Sequence, residues 1–124
     1  MKKVIVVIML VSAFSFFFSC THQPILPDHQ VSYQTDIKPI FISGCQQSGC
    51  HDSVGSGHGE AFPLVTYNDV ARRVVPGQPK QSRIYQSVTT GSGEEFMPRP
   101  PYSPLTDRQI KLLFIWIAQG AKDN

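Results

Sequence analysis

The chain has 124 residues, 41% of them hydrophobic and 16% charged, with 11 Lys and Arg against 9 Asp and Glu. That length suits one modest domain, and two long apolar stretches exclude a wholly disordered chain despite 10 prolines and 9 glycines. The near balance of charge excludes a basic nucleic-acid-binding surface.

The first apolar stretch has the layout of an export signal. Lys2 and Lys3 form a positive start, Val4 to Phe18 is interrupted only by Ser12 and Ser15, and Ser19-Cys20 follows. About 15 apolar residues fall short of the roughly 20 that span a bilayer. A small residue directly before Cys resembles the cleavage site of bacterial lipoproteins, although Phe17 and Phe18 are bulkier than usual there. The expectation is a signal peptide over 1–19 and lipidation of Cys20, with an uncleaved anchor helix as the alternative. Either way a domain is tethered to a membrane outside the cytoplasm, on the periplasmic side. Thr21 in place of an acidic residue favours the outer membrane by analogy. Loss of Lys2 and Lys3 leaves nine basic against nine acidic side chains. Residues 20–31, with two prolines and no periodicity, read as a flexible tether, and 32–124 as the domain.

Four helical segments follow. Ser32 to Ile42 places Tyr33, Ile37, Ile40 and Phe41 at helical spacing, and Pro39 confines the start of the helix to its neighbourhood. Thr66 to Val75 opens on a capping threonine with Asp69 three residues on, and Pro76-Gly77 ends it. Pro79 to Val88 sets Ile84, Tyr85 and Val88 on one face. Thr106 to Ala118 carries the clearest signature: Thr106 and Gln109 form a capping box, Ile110, Leu113, Phe114 and Ile117 form a stripe, and Gly120 is a natural stop. Leu112, Ile115 and Trp116 widen the apolar surface, so burial on more than one side is expected. No segment alternates with a strand's period. The fold class is therefore all-α with long loops, and a large apolar cofactor would help to fill its thin core.

The chemistry concentrates in Cys45-Gln46-Gln47-Ser48-Gly49-Cys50-His51. Two thiols that can add to two vinyl groups, with an imidazole next to the second, make up the set needed for covalent haem attachment. The gap is four residues instead of two, so residues 46–49 must bulge outward, which Gly49 eases. Other chemistries use similar residues. An exported cysteine pair can form a Cys45–Cys50 disulfide, join His51 and His58 in binding zinc, or exchange with other disulfides.

A haem in an electron carrier needs a second axial ligand, and a thioether opposite His favours the ferrous state. After the signal, Met97 is the one methionine left. It sits beside Pro98 in a Gly- and Pro-rich loop ahead of the last helix, an odd place for a core residue, though core packing is the plain alternative. His58 follows His51 by only seven residues, too short a chain to reach the opposite face of the ring with ease. His22 and His29 belong to the tether.

Taken in order, the Pro39-Ile40-Phe41 segment, Cys45 with Cys50-His51, the stretch Pro76 to Val88, Met97-Pro98 and the run Leu105 to Lys122 resemble small cytochrome c domains. The likeness covers about residues 33–122. It is nearest to domains found in exported lipoproteins of planctomycetes and Bacteroidetes. It implies a cytochrome c-like fold of about four helices around one haem, with the first and last helices crossing. It implies thioethers at Cys45 and Cys50, and His51 and Met97 as iron ligands. Trp116 and Gly120-Ala121 would belong to the terminal signature of the family, and Arg83 and Arg99 could approach the haem propionates. The implied activity is one-electron transfer with a redox partner protein, not catalysis. A haem-based sensing module and a haem-free lipoprotein with a disulfide are the alternatives.

Overall fold

Ser32 starts the first helical segment by capping it from both sides. Its Oγ accepts from the Thr35 amide, and its own amide donates to Asp36 Oδ2 at 2.8 Å. The computed structural model describes residues 27–47, 50–52, 62–90 and 96–124. A wide π-helical turn over Tyr33–Ile37 runs directly into helix α1, Lys38–Gly44. The turn closes at Lys38, just ahead of Pro39, which stands in the first turn of α1, where its missing N–H costs nothing. The α-helix thus begins where Pro39 directs, but helical winding starts five residues earlier and ends two later than Ile42.

Helix α2, Tyr67–Ala71, opens on the expected Thr66 cap with a complete capping box to Asp69. It stops four residues short of Val75. Arg73 and Val74 still donate to carbonyls three residues back, a tightened exit from the helix. The Val75 amide then turns away to Ser82 Oγ at 2.9 Å. Two β-branched residues ahead of Pro76 resist the α conformation, which explains the early end. The stretch expected as one helix from Pro79 to Val88 is divided. A 3-10 turn covers Pro79–Gln81, Ser82 is extended, and helix α3 spans Arg83–Thr89. Ser82 is completely buried. Its Oγ also donates to Gln78 O at 3.0 Å, so one side chain closes the corner between α2 and α3.

Helix α4, Asp107–Ala118, has the Thr106–Gln109 capping box and ends as its sequence predicts. Gly120 takes φ +100°. Its amide donates to Ile117 O and that of Ala121 to Trp116 O, the paired closure of a Schellman motif. Leu113, Ile115, Trp116 and Ile117 are buried, while Ile110 and Phe114 are half-buried. The buried surface is therefore rotated and wider than the 110–113–114–117 stripe.

The core is helix on helix, with no strand among the described residues, so the chain is all-α. Helix α4 packs against the Tyr33–Ile37 turn and against α3. Tyr33 is central: its ring meets Tyr67 edge-on at 5.1 Å and Trp116 at 5.6 Å. Such pairs contribute about 0.5–1.5 kcal/mol each beyond burial. Tyr67 Oη donates to Ala121 O and Trp116 Nε1 to Lys122 O, both at 2.9 Å. The aromatic centre thereby fastens the residues that follow α4. No described helix is long and apolar enough to cross a membrane. Cys20 and residues 1–19, expected as a lipidation site and a signal peptide, lie outside the described residues.

Candidate functional site

The end of α1 delivers Cys45. Its amide donates to Phe41 O at 2.9 Å, the last α-helical bond of that element, and the Gln46 amide donates to the same oxygen. The chain then turns back on itself. Cys50 N–H reaches Gln47 O at 2.8 Å, and His51 N–H reaches Cys45 O at 3.1 Å. Main-chain bonds thus gather Cys45, Cys50 and His51 into one closed loop, with Gln47 Nε2 holding back to Ser43 O. Of residues 46–49, over which a bulge is expected, Ser48 and Gly49 lie outside the described residues, as does His58. Gly44 allows the segment ahead of α4 to come close. A Cβ there would stand 2.9 Å from Leu105 Cδ2.

The two thiols are not bonded to each other. Burial, and then the neighbouring Cys50, push the Cys45 thiol up to about 11. A thiol held so far above neutral carries little thiolate, the form that exchange chemistry requires. Among the described residues no three His, Cys, Asp or Glu side chains gather as a metal-ion site would require.

His51 is oriented by a segment far along the chain. Its Nδ1 lies 2.8 Å from Phe62 O. A carbonyl only accepts, so Nδ1 must carry a proton, and in a neutral ring the lone pair then lies on Nε2. The His51 carbonyl in turn accepts from the Leu64 amide at 3.0 Å, and Leu64 O accepts from Gln46 Nε2 at 2.8 Å. Phe62 also sets its ring 5.0 Å from the imidazole, and the Arg73 guanidinium carbon lies over that same Phe62 ring, 3.7 Å from its centre. Residue spacing gave no sign of this support. A main-chain acceptor leaves no mark in the sequence, and the one available signal was Pro63, which biases Phe62 toward an extended backbone.

Met97 is half-buried, and its amide donates to Ser87 O at 2.8 Å, hanging the loop from α3. The Met97–Pro98 and Pro100–Pro101 peptides are cis, and Pro98 is buried. Arg83 and Arg99 are exposed, as is His29, whose carbonyl accepts from Gln119 Nε2. His22 lies outside the described residues. Several apolar side chains, among them Cys45, Phe62, Tyr85, Leu105 and Phe114, pack against the core yet stay only partly covered. The chain matches no protein-family model, no curated protein and no solved structure.

Proposed function

We propose that this protein is a membrane-tethered c-type cytochrome with a cytochrome c-like fold and one covalent haem, working as a one-electron carrier on the periplasmic side of a bacterial membrane. The observation that carries the reading is the bond from His51 Nδ1 to Phe62 O. An imidazole that binds iron through Nε2 needs its other nitrogen tied to an acceptor, which fixes both tautomer and ring direction. Here that acceptor comes from a segment itself pinned to His51 and Gln46.

The donor set suits the group. Cys45 and Cys50 are unbridged thiols on either side of one closed loop, free to form the two thioethers. His51 would supply the axial nitrogen and Met97 the opposing thioether, a pairing that stabilises the ferrous state. A haem bound in this way supplies a reversible one-electron couple. If His51 and Met97 both held the iron, no position on it would be left for a substrate, so the chain would transfer electrons rather than catalyse a reaction. The partly covered apolar side chains beside the core offer contact for a flat apolar ring. Lipidation at Cys20 would hold the domain beside its redox partner protein, at the outer membrane by the Thr21 analogy. A side-chain charge of zero after signal removal predicts little electrostatic steering toward that partner. Suppression of the Cys45 thiolate weighs against a thiol-exchange role.

Periplasmic expression with haem-maturation machinery, followed by a haem stain after denaturation, tests attachment. The expected result is a stained band that is lost when both Cys45 and Cys50 become alanine. Absence of stain in the native chain rejects the reading. The ferric spectrum should show a methionine-to-iron charge-transfer band that disappears in Met97→Ala and persists in His58→Ala. An unchanged spectrum in Met97→Ala removes Met97 as the ligand and leaves the sixth position to another group or to a small molecule.

A further inference from the structure

Three flat groups meet in one stack at the site. The Phe62 ring has the His51 imidazole at 5.0 Å, tilted by 38°, and the Arg73 guanidinium at 3.7 Å from its centre. All three residues are half-buried. The same Phe62 supplies the carbonyl that His51 Nδ1 needs. Ring and carbonyl belong to one residue, so whatever fixes the ring also restricts rotation of the adjoining peptide. Arg73 is itself anchored at both ends of its backbone: its amide donates to Val70 O at 2.9 Å and its carbonyl accepts from the first turn of α3, at Ile84 N. A line of contacts therefore runs from the α2–α3 corner to the imidazole.

We propose that Arg73 is a positioning residue that acts through Phe62, clamping the ring so that the Phe62 carbonyl holds His51 Nδ1 and with it the direction of Nε2. This rests on the reading of His51 as an iron ligand. The clamp has two separable components. A flat guanidinium covers the ring face, which an ammonium on a flexible stem does less well. Its fixed positive charge near the site would also favour the reduced state of a bound iron.

The test follows the exchange of the His51 Nδ1 proton with solvent in the ferrous holoprotein, together with the midpoint potential. Arg73→Gln should speed that exchange roughly three- to tenfold, the scale of a partly exposed cation–π contact, and lower the potential. Arg73→Lys should keep the potential near native while the exchange still accelerates. Phe62→Leu retains the carbonyl but removes the ring, so it should speed exchange by itself, and adding Arg73→Gln should then accelerate it no further. The proposal is overturned if Arg73→Gln leaves the exchange at its native rate, or if the two substitutions multiply. Should the native chain carry no haem, the iron-ligand reading fails on its own. The ring nitrogen shifts of His51 in the haem-free protein then decide the clamp: a native-like Nδ1–H tautomer in Arg73→Gln overturns it, and a loss of tautomer preference supports it.

Discussion

Ser82 and Tyr33 show how single buried polar atoms set what this core tolerates. Ser82 has no exposed surface, and its Oγ is the partner of the Val75 amide. Ser82→Ala leaves that amide without an acceptor where the chain leaves α2, and removes one of the two donors to Gln78 O, the Gln81 amide being the other. A loss of about 1–3 kcal/mol is expected, read as a lower urea midpoint with an unchanged slope. Tyr33 is 2% exposed, and burial, followed by the nearby Asp123 and Asp69, raises its phenol to about 12. The unfolded chain would release that proton near 10.0, so between the two values the folded state binds more protons. Stability is therefore intact below about 10 and falls as the pH climbs toward 12. Tyr33→Phe should flatten this alkaline limb in thermal melts taken across that range; a limb of native steepness would assign the effect to another group. At this scale the sequence was readable where chemistry depends on residue type. Cys45, Cys50 and His51 stand out by residue type and order, although the four-residue gap departs from the usual spacing. The supports of His51 do not, because Phe62 acts through a carbonyl every residue has, and Arg73 acts through a stack that exists only once α2 and α3 have turned the chain back.

Two capping boxes govern the helices on either side of the candidate site, and their chemistry differs. At α4 both partners are neutral, so Thr106→Ala should cost about 1 kcal/mol at any pH. At α2 the Asp69 carboxylate accepts from the Thr66 hydroxyl at 2.7 Å and from its amide at 2.9 Å. Those bonds, the hydroxyl first, hold its pKa below the ordinary 3.8. A depressed folded value means that the stabilisation is complete above 3.8 and is lost as the pH falls through the lower folded value. Asp69→Ala should thus be less stable than the native chain near neutrality and converge with it in strong acid. Urea titrations at the two extremes check this, and parallel curves throughout would mean that the carboxylate is not what stabilises α2. Both boxes were legible because a cap is a local pattern of three or four residues. Lengths were less legible. Helix α2 ends at Ala71, not Val75, and the Pro79–Val88 stretch breaks at Ser82. At both places the Val75 amide bonds to Ser82 Oγ seven residues on, a pairing that helical periodicity does not signal.

Over the whole molecule, the residues beginning the first helical segment are clasped to those that follow α4. Asn124 accepts from the Gln34 amide and Ser32 Oγ through its main-chain oxygen, and from the Tyr33 amide through Oδ1 at 3.0 Å. Gln119 grips the chain just before, accepting from the Val31 amide at 2.9 Å and donating to His29 O. Val31 is 1% exposed, so its amide has an apolar side chain packed beneath it and little freedom to find water. This clasp is joined to the aromatic centre through Trp116 and Tyr67, whose polar atoms bind Lys122 O and Ala121 O. By contrast, the loop bearing Cys45, Cys50 and His51 is tied mainly to α1 and to residues 62–64. The two regions are separate enough to be perturbed one at a time. Gln119→Ala combined with Asn124→Ala should therefore destabilise the fold by about 1–3 kcal/mol through the stranded Val31 and Tyr33 amides, and should speed hydrogen exchange at Val31, Tyr33 and Gln34. The Leu64 amide, bound to His51 O, should keep its native rate until the fold opens globally. If Leu64 loosens in step with Tyr33, the clasp and the candidate site form one cooperative unit, and strain at residues 29–34 would reach the His51 loop directly.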